Sequence, residues 1–222
     1  FHMEITETGE NKTGPIKIIF IGEIVGKSGV YCIKKLLPKL KKETGAHFVI
    51  ANGEGATGGY GIGKNHAIYL RKLGIDSLTS GERIYYKKDM VDHIKKSPYI
   101  LRPANYPYDN PGRGWMVYNT DERPIGVISI LGQAGFPRVH LTNPFTLLPD
   151  IARRMSERTP VIIVDFHATM SAEKNGMFFH MDGKVSAVIG THTKVISADE
   201  KILPGGTAVI TDAGRTGSIN SV

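Results

Sequence analysis

Short apolar runs alternate with amphipathic segments along the first half of the chain. Three of the runs have the length and apolar character of buried strands: residues 16–21, 47–51 and 75–79. Three segments carry apolar residues at helical spacing: residues 28–43, with Ser28 as the expected N-cap, 64–73 and 87–96. This alternation predicts an α/β fold with parallel strand pairing.

The second half of the chain has a different texture, with Pro- and Gly-rich loops between short β-like runs. The pattern predicts strands at 99–101, Trp115–Tyr118 and Ile125–Leu131, a helix at Pro144–Ser156, and β-rich runs at 161–164, 185–189 and 207–211. A mixed or antiparallel region is therefore expected. No repeat or linker divides the chain, so we expect a flexible leader at 1–14 and a single domain over 15–222.

Composition narrows the class of protein. The chain has 222 residues, of which 41% are hydrophobic and 22% charged, as in ordinary globular proteins. Its apolar runs are far too short to span a bilayer, so no membrane partner is expected. The single cysteine, Cys32, excludes an internal disulfide framework and a cysteine-rich zinc site. A packed thiol in a reducing cytoplasm is the expectation.

The formal net charge of +7 is the one feature of the composition that departs from that of an ordinary globular protein. It suits anionic partners such as nucleotides or RNA. Alternatively, lysines solvate the first helix, where five of them lie largely away from the apolar stripe: Lys34, Lys35, Lys39, Lys41 and Lys42. We favour the second interpretation, because a nucleic-acid surface needs a clustered basic face.

Polar residues follow several of the predicted strands at the point where each strand ends. They include three carboxylates and two histidines: Glu23, Glu54, Glu82, His167 and His192. In open α/β sheets, ligands bind beyond the carboxyl ends of the strands. Carboxylate oxygen and imidazole nitrogen together suit Mn, Fe, Zn or a similar divalent ion. Taken singly, each residue could equally be a helix cap or a hydrogen-bonded loop residue.

Six ordered segments make the chain recognisable. They are Phe20-Ile21-Gly22-Glu23, Asn52-Gly53-Glu54-Gly55, Arg102-Pro103-Ala104-Asn105, Asp165-Phe166-His167-Ala168, Gly190-Thr191-His192-Thr193-Lys194 and Ile210-Thr211-Asp212-Ala213-Gly214. The chain resembles the YmdB-like family of calcineurin-type metallophosphoesterases, described as 2′,3′-cyclic-nucleotide phosphodiesterases. The resemblance implies an αββα sandwich, in which helices flank two mixed β-sheets. It also implies a two-metal site that activates water, an assisting histidine, and self-association into a homo-oligomer.

The chain departs from the family's pattern where the chemistry is expected. There are six replacements: Glu23 for the first aspartate, Gly55 for an asparagine, Glu82 for a metal-binding asparagine, Arg83 for the assisting histidine, Thr169 for a glutamate and Lys194 for the last histidine. The chain also ends soon after Gly217, whereas the resemblance implies some tens of further residues. The sequence leaves open whether this end is native or the C-terminal part is truncated.

The replacements affect the two implied metal positions differently. One position retains Glu54, Glu82, His167 and His192, all able to bind a divalent ion. The other draws on Glu23, Glu54 and Lys194, and a protonated ammonium cannot ligate a metal. We expect Lys194 to pair with Glu23 or Glu54 in place of an ion. The prediction is at most one ion, of Mn, Fe, Zn or Mg, with none as the alternative.

Arg83 changes the expected chemistry as well. A guanidinium keeps its proton, so it is a poor general acid, but it holds phosphate bidentately. We predict that Arg83 binds substrate phosphate. Asn105, by resemblance, positions substrate, although a turn role is the alternative. Asp212 either orients a ligand histidine or caps a loop. Trp115, Tyr106 and Tyr108 form a base-stacking surface or, as we favour, pack the loops.

Three functions remain open from the sequence. The favoured one is a catalytically impaired family member that binds a phosphate, a nucleotide or a protein partner. The second is an active phosphodiesterase on 2′,3′-cyclic nucleotides that uses a single metal. The third is a structural subunit without metal. Function resides in the site and not in the fold, so the fold alone does not separate them.

Overall fold

The computed structural model describes residues 15–136, 139 and 141–218, and the predicted leader at 1–14 lies outside them. In these residues the strands are β1 Ile18–Ile21, β2 Glu23–Ile24, β3 Phe48–Asn52, β4 Ser77–Thr79, β5 Trp115–Tyr118, β6 Ile125–Leu131, β7 Ile162–His167, β8 Ala187–Thr191, β9 Lys201–Ile202, β10 Ala208–Ile210 and β11 Arg215–Thr216. The helices are α1 Gly26–Thr44, α2 Lys64–Lys72, α3 Lys88–Ile94, α4 Pro144–Ser156 and α5 Ser171–Met181.

Two local predictions were wrong, and one helix was missed. Residues 99–101 form no strand; Ile100 and Leu101 make only isolated bridges, to Leu78 and Arg113. Ser28 does not cap α1, because the helix already begins at Gly26 and the Ser28 hydroxyl donates back to the Val25 carbonyl. Helix α5 was not predicted.

The strands form two main sheets. The smaller sheet has the order β1-β3-β4 and is parallel in its described pairs. The larger sheet has the order β5-β6-β7-β8-β10-β9; its inner strands are parallel, and β5 and β9 pair antiparallel at its two edges. The larger sheet is therefore mixed. A short parallel pair, β11-β2, adds a third element.

Apolar side chains pack the structure into four layers. Phe48 and Ile50 of the smaller sheet meet Val127 and Ile163 of the larger sheet in a buried cluster between the two. A second cluster buries α1, α2 and α3 against the outer face of the smaller sheet. A third buries α4 and α5 against the outer face of the larger sheet. The architecture is an αββα sandwich, driven by burial of one apolar face of each element.

The two sheets meet at their carboxyl edges through a polar contact. Asn52 ends β3, and its side-chain amide donates to Asp165 of β7 over 2.8 Å. Both side chains are fully buried. This contact brings the loops after β3, β4, β7 and β8 to one place. No helix within the described residues is long and apolar enough to cross a membrane.

Candidate active site

Three side chains converge beyond the strand ends. Their ligating atoms lie within 4.8 Å of one another, and they belong to Glu82, His167 and His192. His167 Nε2 lies 3.2 Å from Glu82 Oε2 and 3.0 Å from His192 Nδ1. One carboxylate oxygen and two imidazole nitrogens form a donor set suited to a divalent transition metal. We call these three residues the metal group.

A buried chain of hydrogen bonds orients His167. Thr191 donates its hydroxyl hydrogen to Asp165 Oδ1 over 2.6 Å, and the Thr191 oxygen lies 2.9 Å from His167 Nδ1. Because that hydrogen is already used, the oxygen accepts from His167 Nδ1–H. In the neutral ring, Nε2 then carries the lone pair and faces the other two members of the metal group. Asp165 also accepts from Asn52 and Thr79.

His192 is held in a backbone conformation that L residues rarely adopt, with φ of +104°. Its ring packs edge-on against Phe136, with centroids 5.1 Å apart. Burial, followed by the nearby positive charge of His167, lowers the pKa of His192 to about 4. The ring is therefore neutral near pH 7, the form that binds metals.

The loop that carries His192 is fixed by Asp212. The Thr193 backbone N–H and hydroxyl both donate to Asp212 Oδ2, over 3.0 and 2.7 Å. The same oxygen pairs with the buried Lys174 at 2.8 Å. Asp212 thus holds the loop backbone, which is the second of the two roles left open by the sequence.

Opposed charges shift the acid–base behaviour of the metal group. Burial raises the pKa of Glu82, but the His167 hydrogen bond and charge outweigh it and lower the pKa to about 2. Burial lowers the pKa of His167, but Glu82 and Glu54 outweigh it and raise the pKa to about 9. Without a bound ion, these two residues therefore form a charged pair at pH 7.

Glu54 lies beside the metal group and is fully buried. Its carboxylate accepts from the backbone N–H groups of Gly81, over 2.6 Å, and Arg83. Burial raises its pKa to about 8, since the nearby Glu82 charge adds to desolvation against the effect of His167. Among the described residues, Glu54 is not within the 4.8 Å group formed by Glu82, His167 and His192.

Lys194 pairs with the first glutamate. Lys194 Nζ lies 3.2 Å from Glu23 Oε1, and Glu23 is 1% exposed. Among the described residues the Glu23 oxygens accept no hydrogen bond of good geometry, so this ion pair is the main compensation for their burial. Burial still raises the pKa of Glu23, although His167 and Lys194 oppose the rise.

Arg83 lies beside Glu82 and contacts the loop that carries Gly59 and Tyr60. Its Nε bonds Glu82 Oε1 at 3.0 Å, and its Nη1 donates to the Gly59 carbonyl over 3.2 Å. Its guanidinium also lies 4.5 Å from the centre of the Tyr60 ring. These contacts leave Nη2 without an acceptor among the described residues. One edge of the guanidinium therefore remains able to donate to an anion.

Asn105 has different partners from those expected of a substrate-binding residue. It is fully buried, and its Nδ2 donates to the carbonyls of Leu131 and Thr142 over 2.7 and 3.3 Å. Its Oδ1 accepts from the Leu131 N–H over 3.0 Å. The side chain joins two loops, and contact with a substrate stays a prediction.

Comparison with known proteins places this site in a family. The family model described as "YmdB-like protein" matches residues 19–222. The chain is 39% identical to a 2′,3′-cyclic-nucleotide 2′-phosphodiesterase of Bacillus subtilis over 93% of this chain and 78% of that protein. The chain belongs to the YmdB-like family. The resemblance inferred from the six segments is confirmed.

Solved structures of related proteins support the fold of this YmdB-like chain. A hypothetical protein from Thermus thermophilus has a TM-score of 0.85 at 30% identity, over 92% of this chain and 79% of that one. A Mycoplasma pneumoniae protein described as a novel phosphatase has a TM-score of 0.85 at 34% identity, over 91% of this chain and 73% of that one. The metallophosphoesterase-type fold is confirmed.

Five of the six residues that the sequence analysis identified as replacements contact or adjoin one another. Glu82 pairs with Arg83, and Glu23 pairs with Lys194. A Cβ at Gly55 would lie 2.8 Å from Glu23 Oε1, so a glycine makes room for the longer acid. The four charged side chains among them therefore form two ion pairs, and Gly55 leaves room for one of their carboxylates.

The YmdB-like family implies a divalent metal, and the donors present fit one ion. Glu82, His167 and His192 offer oxygen and nitrogen at short mutual distances, with the His167 tautomer already set. The position between Glu23 and Glu54 fits less well, because the Lys194 ammonium lies against Glu23. The sequence-based candidates therefore divide into a metal group of three residues, a backbone-bonded Glu54 and a Glu23–Lys194 pair.

Sequence reasoning did not find the residues that support His167. Asp165 and Thr191 lie in buried strands, where polar residues are expected to hydrogen-bond inside the protein. Asp165 precedes His167 by two positions, so both side chains point to the same face of β7. The two-residue spacing of Asp165 and His167 was the sequence feature that could have identified Asp165 as a partner of His167.

Proposed function

We propose that the protein is a metal-dependent phosphodiesterase that acts on 2′,3′-cyclic nucleotides with a single divalent ion. The convergence of Glu82, His167 and His192 is the observation that carries this proposal. The substrate class comes from the name of the Bacillus subtilis relative, which aligns with 93% of this chain. The proposed location is the cytoplasm, in keeping with the single free thiol of Cys32.

In this proposal, different residues bind the ion, orient a ligand and bind the phosphate. Glu82, His167 and His192 would hold the ion, and Thr191 and Asp165 keep His167 Nε2 directed at it. A divalent ion there supplies Lewis acidity toward a phosphoryl oxygen and a water molecule. Arg83 Nη2 binds a phosphate oxygen and stabilises its negative charge.

Proton transfer to the departing ribose oxygen is the weak point of this site. Arg83 stays protonated, and so it stabilises charge without giving up a proton. A missing general acid typically costs about 10²–10⁴-fold in rate. We therefore expect turnover that is slow but strictly dependent on the ion.

The second candidate function is binding of a phosphate or nucleotide without turnover. The Glu23–Lys194 ion pair favours it, since a cationic side chain stands where the family's second ion is expected. The name of the Bacillus subtilis relative favours hydrolysis, and for that reason we place the active enzyme first.

Hydrolysis of 2′,3′-cyclic AMP and of bis-p-nitrophenyl phosphate distinguishes the two. Protein treated with a chelator and then supplied with Mn²⁺ should hydrolyse both substrates. His167→Ala should remove this activity, whereas His47→Ala, a change at an exposed histidine, should retain it. If wild type with Mn²⁺ binds the nucleotide but is no faster than His167→Ala, the binding function is correct and the hydrolase proposal is refuted.

A further inference from the structure

A cavity lies between the loop of residues 102–109, the start of β5 and helix α4. Its volume is about 740 Å³, within the range of small-molecule and nucleotide sites. Four arginines line it: Arg102, Arg113, Arg154 and Arg158. Three aromatic side chains line it as well: Tyr106, Tyr108 and Trp115. We call it the arginine cleft.

Positive charge dominates the arginine cleft. Asp109 is the one acidic residue among its lining residues. Three of the four arginines are exposed and form no ion pair within the described part of the chain: Arg113, Arg154 and Arg158. Their charges are thus available to an anion from solution.

Arg102 is the buried member of this set. It is only 5% exposed, and its two terminal nitrogens donate to four backbone carbonyls of residues 103–108. Its Nε is buried without a hydrogen-bond partner among the described residues. A cation held in the interior by carbonyls, with no carboxylate beside it, leaves a positive potential at the cleft that a bound anion would offset.

The aromatic side chains of the cleft indicate which class of anion it binds. Tyr108 is 93% exposed, which is unusual for a large ring, and Trp115 is half-buried beside the arginines. Rings that alternate with arginines are typical of single-stranded nucleic-acid sites, where bases stack and phosphates bind the cations. An acidic peptide would use the charges but would leave the rings without a stacking partner.

Tyr106 connects the arginine cleft to the metal group. Tyr106 lines the cleft, and its hydroxyl donates to the backbone carbonyl of Glu82 over 3.1 Å. A strand that contacts Tyr106 in the cleft is therefore separated from the Glu82 backbone by one side chain.

We propose that the arginine cleft binds single-stranded RNA and presents its 3′-terminal cyclic phosphate to the metal group. RNA ends, and not free nucleotides alone, are then the substrate. This proposal rests on the proposed function for the hydrolytic step only; RNA binding by the cleft stands without it.

RNA binding is tested without hydrolysis by using a fluorescein-labelled hexanucleotide with a 3′-hydroxyl. Fluorescence anisotropy should show binding that weakens with salt, with a log–log slope of about −2 for three phosphate contacts. Trp115 is the only tryptophan of the chain, so its fluorescence reports on the cleft directly and should be quenched.

Matched variants of α4 and the turn after it locate the bound strand. Arg154→Glu and Arg158→Glu should each weaken binding about tenfold or more, because each loses a charge-assisted phosphate contact. Arg153→Glu is the control, since Arg153 neighbours Arg154 but does not line the cleft and faces Glu157 at 3.9 Å. It should bind like wild type.

The outcomes separate this proposal from the proposed function. No RNA binding by wild type at low salt, an equal loss in Arg153→Glu, or equal quenching of Trp115 by an acidic peptide of the same charge would each overturn the cleft proposal. RNA binding without hydrolysis of a cyclic-phosphate end would refute the hydrolase but retain the cleft. With both intact, the RNA end should have a KM at least tenfold below that of 2′,3′-cyclic AMP.

Discussion

Removing the positive charge of Lys194 while keeping its length should destabilise the protein. In Lys194→Met, the carboxylate of Glu23 stays 99% buried but loses the ammonium at 3.2 Å. Breaking a buried ion pair from one side costs about 3–5 kcal/mol. The Lys194 side chain is 24% exposed, which favours a value of about 2–3 kcal/mol.

The cost should depend on pH with a definite sign. The pKa of Glu23 is raised in the folded protein, and Lys194 opposes the rise. In the variant this pKa therefore rises further. A raised carboxyl pKa leaves stability unchanged at low pH, where the carboxyl is neutral in both states, and lowers stability as pH rises through the folded pKa. The difference between wild type and variant should consequently be larger at pH 8 than at pH 5.

Urea denaturation of chelator-treated protein measures this difference without a contribution from bound ions. Thermal denaturation should show a fall of about 5–10 °C at pH 8. Lys201→Met changes an exposed lysine of β9 and should have little effect. A cost that is the same at both pH values, or that Lys201→Met reproduces, would refute the reasoning about the buried pair.

Three further predictions follow from the contacts of the site. Gly55→Asn should lower the thermal midpoint, because its Cβ would lie 2.8 Å from Glu23 Oε1, and adding Glu23→Asp should recover part of the loss; no recovery would contradict the proposed fit between these residues. Thr191→Val should weaken Mn²⁺ binding about 10–100-fold by calorimetry, while Thr191→Ser retains it, because only the hydroxyl links His167 to Asp165; equal binding in both variants would exclude this role. Mn²⁺ affinity should rise about tenfold per pH unit around neutrality, because the ion displaces a proton from His167, whose pKa is raised to about 9; an affinity that is constant from pH 6 to 8 would contradict this.

The sequence predicted helices and strands best where the hydrophobic periodicity of a segment is bounded by Pro or Gly residues. The bounds of β5, β6 and α4 match the prediction residue for residue, since Pro and Gly loops enclose strongly apolar or amphipathic runs. Helix α5 was not predicted because its buried positions include the charged Lys174, whose burial depends on an ion pair with the distant Asp212. Strand β7 extends past Val164 to His167, because Asp165 and His167 are satisfied by partners in other strands.

The same division holds for the candidate site. The rule that ligands bind beyond strand ends selected Glu82, His167 and His192, but together with Glu23 and Glu54, which lie outside the metal group. It did not give their mutual distances. It also did not decide whether Lys194 pairs with Glu23 or Glu54, since that choice depends on how two sheets pack. Nor did it indicate the buried Nε of Arg102, because hydrogen bonding by a loop is set by tertiary structure.

The number of divalent ions that each chain binds tests the single-metal proposal most directly. Anomalous diffraction from crystals soaked in Mn²⁺ should show one ion, bound by Glu82, His167 and His192. The triple variant Glu82→Asn, Arg83→His, Lys194→His should bind more than one ion per chain, approaching two, and should hydrolyse 2′,3′-cyclic AMP faster. Two well-occupied ions in the wild-type protein, one of them between Glu23 and Glu54, would contradict the proposal that Lys194 takes the place of a metal.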